Sequence, residues 1–217
     1  MTPPFIADYH RAFDTTWTGA APAGEVRFVV LDSETTGLDA RKDRLITIGA
    51  IAVRGGDLRL DDTFDALIEM RHNTASVTVH GITRQQSEAG VGEPEALERF
   101  LAYLADGVIV GHHIGHDIAT LDAAYGRHWG FRLRNRSLDT MELALHLERD
   151  GAFARTATTD FSLDGLCARF GVIPHDRHTA AGDAFMTALV FQRLLRLAER
   201  HGRGTLGGLL EPWVAEQ

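Results

Sequence analysis

A single cysteine, Cys167, is present among 217 residues, so no intrachain disulfide can staple the fold. It sits in the apolar stretch Leu163–Val172 and reads as a small core residue. Long apolar runs are also missing, and no stretch has the length a bilayer crossing needs. The opening Met1-Thr2-Pro3-Pro4 lacks the basic and apolar regions of a signal peptide, so a soluble cytoplasmic protein with no membrane partner is the expectation. Basic residues are outnumbered, 22 Lys and Arg against 30 Asp and Glu, for a net charge of −8. That balance excludes the broad basic surface of a passive nucleic-acid coat. It leaves room for a nucleic-acid enzyme, because carboxylates that hold metal count as negative until the metal arrives. Internal repeats and low-complexity tracts are absent.

What is present is enough apolar material for a substantial core, 44% of residues. The length suits one large domain with a terminal appendage. Residues 1–24 read as that appendage. Phe5, Tyr9, Phe13 and Trp17 recur every four residues, which lines one helical stripe, and Gly19–Gly24 reads as a short linker. The helix either packs back onto the domain or docks a partner. From residue 25 to 217 the chain reads as one domain. Strands are expected at 28–32, Leu45–Val53 and Leu58–Met70, with Gly55-Gly56-Asp57 as a tight turn. Helices are expected from Pro94 to Leu104 and at Ile118–His128, Met141–Leu147, Leu163–Phe170 and Ala180–His201. Short strands fall between them at Val108–Val110 and Leu138–Asp139. Three antiparallel strands followed by alternating helix and strand predict an α/β fold, a mixed sheet flanked by helices.

The chain is organised around Phe28-Val29-Val30-Leu31-Asp32-Ser33-Glu34-Thr35-Thr36-Gly37-Leu38. An apolar, β-branched run ends in two carboxylates one residue apart, and alternate strand side chains share a face. Asp32 and Glu34 then project together and repel unless a cation lies between them. Oxygen ligands of this kind suit Mg²⁺ or Mn²⁺; a plain polar turn after the strand is the competing reading. Asp117 follows the His-rich segment Gly111-His112-His113-Ile114-Gly115-His116 at a strand's carboxyl end, where it is either a ligand or a helix cap. Asp183 falls in the first turns of the last long helix, with His178 on the loop ahead. A helix dipole explains an acid there as readily as catalysis does.

Taken together, Asp-x-Glu-Thr-x-Gly-Leu, a later Asp after a His-rich strand end, and His-x4-Asp resemble the DEDD exonuclease superfamily. The histidine at 178 matches the DEDDh branch, and Val79-His80-Gly81-Ile82-Thr83, Leu138-Asp139-Thr140 and Leu163–Gly171 resemble its proofreading-subunit-like members. The resemblance implies a ribonuclease H-like fold and stepwise 3′→5′ release of nucleoside monophosphates. It implies that Asp32, Glu34, Asp117 and Asp183 hold two divalent cations, Mg²⁺ or Mn²⁺. Such a pair, about 4 Å apart, clamps the entering and leaving oxygens. Asp32 and Glu34 would be catalytic together with His178, the base that takes the water's proton. Thr35, Thr36, Gly37, Leu38 and His80 would meet the terminal nucleotide of an unpaired 3′ end.

Two departures stand out. Many relatives read His-Asn-Ala-x-Phe-Asp where this chain has His112-His113-Ile114-Gly115-His116-Asp117. The three histidines lack the Cys or fourth ligand of a closed zinc site. Arg127, Arg132, Arg134 and Arg136 either steer a phosphate backbone or form a solvated loop. DNA is the expected substrate and a polymerase subunit an expected partner. An RNA-trimming exonuclease and a polymerase-docking accessory subunit are the alternatives.

Overall fold

The computed structural model describes residues 3–69, 90–153 and 160–210. Five strands form one sheet: β1 (Phe28–Thr35), β2 (Leu45–Arg54), β3 (Asp57–Leu67), β4 (Val108–Gly111) and β5 (Ser137–Asp139), in the order β3-β2-β1-β4-β5. β1, β2 and β3 are antiparallel neighbours, whereas β4 and β5 run parallel to β1. This is the mixed sheet expected from the sequence. The β2–β3 hairpin turns on Gly55 and Gly56, both at positive φ (66° and 77°), the conformation a two-residue turn between twisted strands demands.

Side-chain alternation along β1 divides the core in two. Phe28 and Val30 join Ile51, Val53, Val108, Val110 and Leu138 on one face, covered by α4 (Thr140–Arg149), α5 (Leu163–Phe170) and α6 (Ala180–Arg200). Val29 and Leu31 join Ile48, Ala50, Phe64 and Ile109 on the other, covered by α1 (Pro4–Ala12), α2 (Glu93–Leu104) and α3 (Gly115–Trp129). Helices on both faces explain why the first half of β1, residues 28–31, and the valines and isoleucine of β4 form unbroken buried apolar runs. A last short helix, α7, spans Leu206–Leu210. Cys167 is buried with the α6 face, and so are Leu194 and Leu195. Among the described residues no helix is long and apolar enough to cross a membrane.

The N-terminal segment departs from a single helical stripe. α1 ends at Ala12, and Phe13–Thr15 tightens into a 3₁₀ turn. The cause lies in what the aromatics cover. Phe5, Tyr9 and Phe13 pack on the α2–α3 side, while Trp17 packs on the opposite side of the sheet, and no straight helix reaches both. Tyr9 is buried, donating from its hydroxyl to Asn135 Oδ1 (2.5 Å) and accepting from the Arg134 N–H (2.7 Å). Nor is 19–24 a loose connection. Ala23 N–H donates to the Gly204 carbonyl, and the Leu206 and Gly207 N–H groups donate to the Ala21 and Gly19 carbonyls.

Candidate active site

The alternation that builds the two cores also sorts the acids. Asp32 and Glu34 continue the Phe28/Val30 side toward α6, which carries Asp183 in its first turn. One carboxylate oxygen from each of Asp32, Glu34 and Asp183 lies within 4.8 Å of the others. Ser33 continues the other side, toward α3, and there it meets Asp117. Its hydroxyl donates to Asp117 Oδ1 at 2.6 Å and its N–H donates to the same oxygen at 2.9 Å. Asp117 Oδ1 is therefore clasped against β1, and Asp117 is not one of the three carboxylates that converge within that distance. It still bears on that group, since of the charges that raise the Asp32 carboxyl its own is the strongest, second only to burial.

Close packing at Gly49 brings α6 near enough. Gly49 pairs with Asp32 across β1 and β2, and a Cβ there would lie 2.4 Å from the Ala180 carbonyl carbon and the Ala181 nitrogen. Only a residue without a side chain lets the start of α6 settle onto the sheet. Thr179 caps that helix, accepting from the Gly182 N–H (3.1 Å).

Crowding of like charge shows in the acid strengths. The Asp32 carboxyl is pushed up to about 9, first by burial and then by the charges of Asp117, Asp183 and Glu34. Glu34 is raised to about 7 by burial and then by Asp183 and Asp117. Asp117 rises to about 6 through burial, with the Ser33 hydrogen bonds pulling the other way. Asp183 Oδ1 is buried without a hydrogen-bond partner. Its Oδ2 accepts from Arg177 Nη1 at 2.5 Å. An all-oxygen donor set, short of positive charge and with one orphaned buried oxygen, fits a hard divalent cation. These residues can hold one.

His178 lies on the loop before α6, exposed and at φ 63°, outside the three-carboxylate group. The segment after β1 is tightly built. Thr35 Oγ1 donates to the Gly37 carbonyl (2.7 Å), and Thr36 Oγ1 donates to Asp43 Oδ1 (2.8 Å). Asp43 Oδ2 also accepts from the Asp39 N–H, at 2.8 Å. A Cβ on Gly37 would fall 2.7 Å from the Asp43 carboxylate, so a larger residue there would push on the side chain that accepts from Thr36 and Asp39. Leu38 stands at its tip, 91% exposed, which removes a core role for it. His80 lies outside the described residues.

Of the histidines before Asp117, His112 and His113 pack edge to face, with ring centroids 4.7 Å apart. His112 Nδ1 faces Thr140 Oγ1 at 3.0 Å, and burial holds the ring down to about 4. Asp139 ties this corner together by accepting from the Ile114 and Met141 N–H groups. Of the basic residues nearby, Arg127 pairs with Glu93, while Arg134 stacks over Phe13. Sequence reasoning missed Ser33, Gly49 and Arg177. The first had a signal, since a hydroxyl between two strand-end acids must face the opposite helix layer.

DNA polymerase III PolC-type from Thermotoga maritima is 33% identical over 183 residues, covering 82% of this chain but 12% of that protein. The DNA polymerase III subunit epsilon of Aquifex aeolicus is 29% identical over 171 residues, 77% of this chain and 80% of the relative. The chain thus spans a small part of the PolC-type relatives and most of the epsilon relative. Among solved structures, E. coli Exonuclease I in complex with a dT13 oligonucleotide shares the fold, with a TM-score of 0.69 at 18% identity over 82% of this chain and 43% of that one. The family model RNase_T, described as exonuclease, matches residues 29–191, so the chain belongs to that family of DEDD exonucleases, in which the polymerase III proofreading relatives also stand.

Proposed function

We propose that this protein is a metal-dependent 3′→5′ exonuclease that hydrolyses phosphodiester bonds at unpaired 3′ ends of DNA and releases nucleoside monophosphates. The observation that carries the reading is the convergence of Asp32, Glu34 and Asp183 to within 4.8 Å, with a buried Asp183 oxygen left unbonded. Folding has no use for like charges gathered this way, whereas two divalent cations do. The relatives named for DNA polymerase III and the oligonucleotide complex of the structural neighbour favour DNA.

In this reading Asp32, Glu34 and Asp183, with Asp117 beside them, hold two cations, Mg²⁺ or Mn²⁺. When bound, the cations stabilise charge on the pentavalent phosphorus and acidify the attacking water. A ring nitrogen of His178 accepts that water's proton, a task suited to an imidazole at neutral pH. Thr35, Thr36 and Gly37 present the turn, and the exposed Leu38 at its tip wedges against the last base. His80 contacts the terminal nucleotide. Residues 1–24 form an appendage to an exonuclease domain at 25–217, and a polymerase assembly is the proposed partner.

The test is a substrate panel: 5′-labelled single-stranded DNA, a duplex with a mismatched 3′ end, and RNA of the same sequence, each with and without Mn²⁺. A ladder shortening from the 3′ end of the DNA only with Mn²⁺ supports the reading. Endonucleolytic fragments, EDTA-resistant cleavage, or cleavage confined to RNA would overturn it.

A further inference from the structure

Arg177 is the feature of the site that the proposed chemistry leaves unused. It sits on the loop between α5 and α6, one residue before His178, and its side chain is 24% exposed. Its guanidinium makes two different attachments. Nε and Nη2 form a fork on the two oxygens of Asp164 (2.7 and 3.2 Å), in the first turn of α5. Nη1 reaches Asp183 Oδ2 at 2.5 Å. The two carboxylates are unlike. The side chain of Asp164 is 61% exposed, whereas Asp183 is buried and converges with the half-buried Asp32 and Glu34. The positive charge is felt beyond Asp183, since Arg177 opposes the upward shift of both Asp32 and Glu34. A guanidinium cannot lose its proton at any working pH, so its compensation of the cluster is permanent unless the side chain moves.

A divalent cation entering the cluster meets that charge at close range and competes with it for Asp183. Bidentate attachment to Asp164 gives the arginine a second anchorage that needs no part of the cluster. We propose that Arg177 is a resident counter-cation that sets the affinity of the site for divalent cations: it holds Asp183 Oδ2 in the cation-free protein and surrenders that oxygen on loading, drawn back onto Asp164. The inference rests on the proposed cation site and adds to it two residues, Arg177 and Asp164, that never ligate the cation.

Opposite effects of two neutralising substitutions test it. Mn²⁺ alone is titrated calorimetrically into the full chain, without nucleic acid. Arg177→Gln removes the competitor and is expected to tighten Mn²⁺ binding by at least about fivefold. Asp164→Asn removes the alternative anchorage, leaves the guanidinium leaning on Asp183, and is expected to weaken binding severalfold. In the double variant the Asp164 substitution should have no further effect, because the arginine it acts through is gone. Unchanged or weaker Mn²⁺ binding by Arg177→Gln would overturn the proposal, that being the sign expected of an arginine that merely steadies Asp183. An Asp164→Asn effect that persists without Arg177 would overturn it as well. Absence of Mn²⁺ binding by the unsubstituted protein is a different failure, removing the cation site itself and this inference with it.

Discussion

Ser33 Oγ lies 2.6 Å from Asp117 Oδ1, and the Ser33 N–H reaches the same oxygen at 2.9 Å. Two donors from one strand residue thus fix a carboxylate that is 6% exposed and carried by a helix on the far side of the sheet from Asp183. Ser33→Ala removes the hydroxyl and keeps the N–H. Loss of a hydrogen bond to a buried carboxylate costs about 1–2 kcal/mol. Urea unfolding should show that loss, with nuclease turnover reduced rather than abolished. Equal stability of variant and parent would mean that the clasp contributes nothing.

Without metal, the raised acids make stability depend on pH in a defined direction. The unfolded chain ionises Asp32 near its ordinary value of 3.8, whereas the folded protein keeps the proton up to about 9. Folding therefore binds protons between those limits, so this contribution to stability is complete below about 4 and is lost as pH rises toward 9. Glu34 adds a parallel loss between about 4.5 and about 7. In EDTA, unfolding midpoints should fall across this range, and Asp32→Asn should flatten the decline. Saturating Mn²⁺ should restore stability most at the alkaline end.

Gly49 is the position where the sheet admits α6. Gly49→Ala places a carbon 2.4 Å from backbone atoms at Ala180 and Ala181, so the helix start must move. Overpacking of this sort costs about 1–3 kcal/mol. The sharper consequence is functional, since Asp183 moves with the helix. At a temperature where the variant is folded, Mn²⁺ binding and nuclease activity should both drop at least tenfold (roughly 1.4 kcal/mol). Wild-type metal binding in folded Gly49→Ala would show that this close approach does not position Asp183.

His178 is exposed on its loop, so its replacement should leave the fold intact. Loss of a general base lowers turnover by about 10²–10⁴. His178→Ala should show that drop with single-stranded DNA still bound, measured by fluorescence anisotropy beside single-turnover cleavage. Near-normal turnover would assign the proton to another group.

Most of the architecture was legible because hydrophobic period and turn chemistry agree along this chain. Leu163–Phe170, closed by Gly171 at φ 65°, has the bounds its sequence suggests. α3 starts three residues earlier than its apolar pattern suggests, since His116 and Asp117 carry no apolar signal. The N-terminal stripe misled for a different reason: a fixed four-residue spacing cannot report that Trp17 serves the opposite face of the sheet from Tyr9. At the site, residue type and alternation pointed to the acids. Their mutual arrangement was hidden, because the Ser33–Asp117 clasp and the fit of Gly49 under Ala180 join segments far apart in the chain, and the reach of Arg177 to Asp183 depends on how the loop before α6 folds back.

Anomalous scattering from crystals of the full chain grown with Mn²⁺ addresses the central claim without passing through an assay. Manganese peaks bounded by the carboxylates of Asp32, Glu34 and Asp183, and lost in Asp32→Ala, are the result expected here. Manganese absent from that cluster while seated elsewhere, for instance among His112, His113 and His116, would contradict the account.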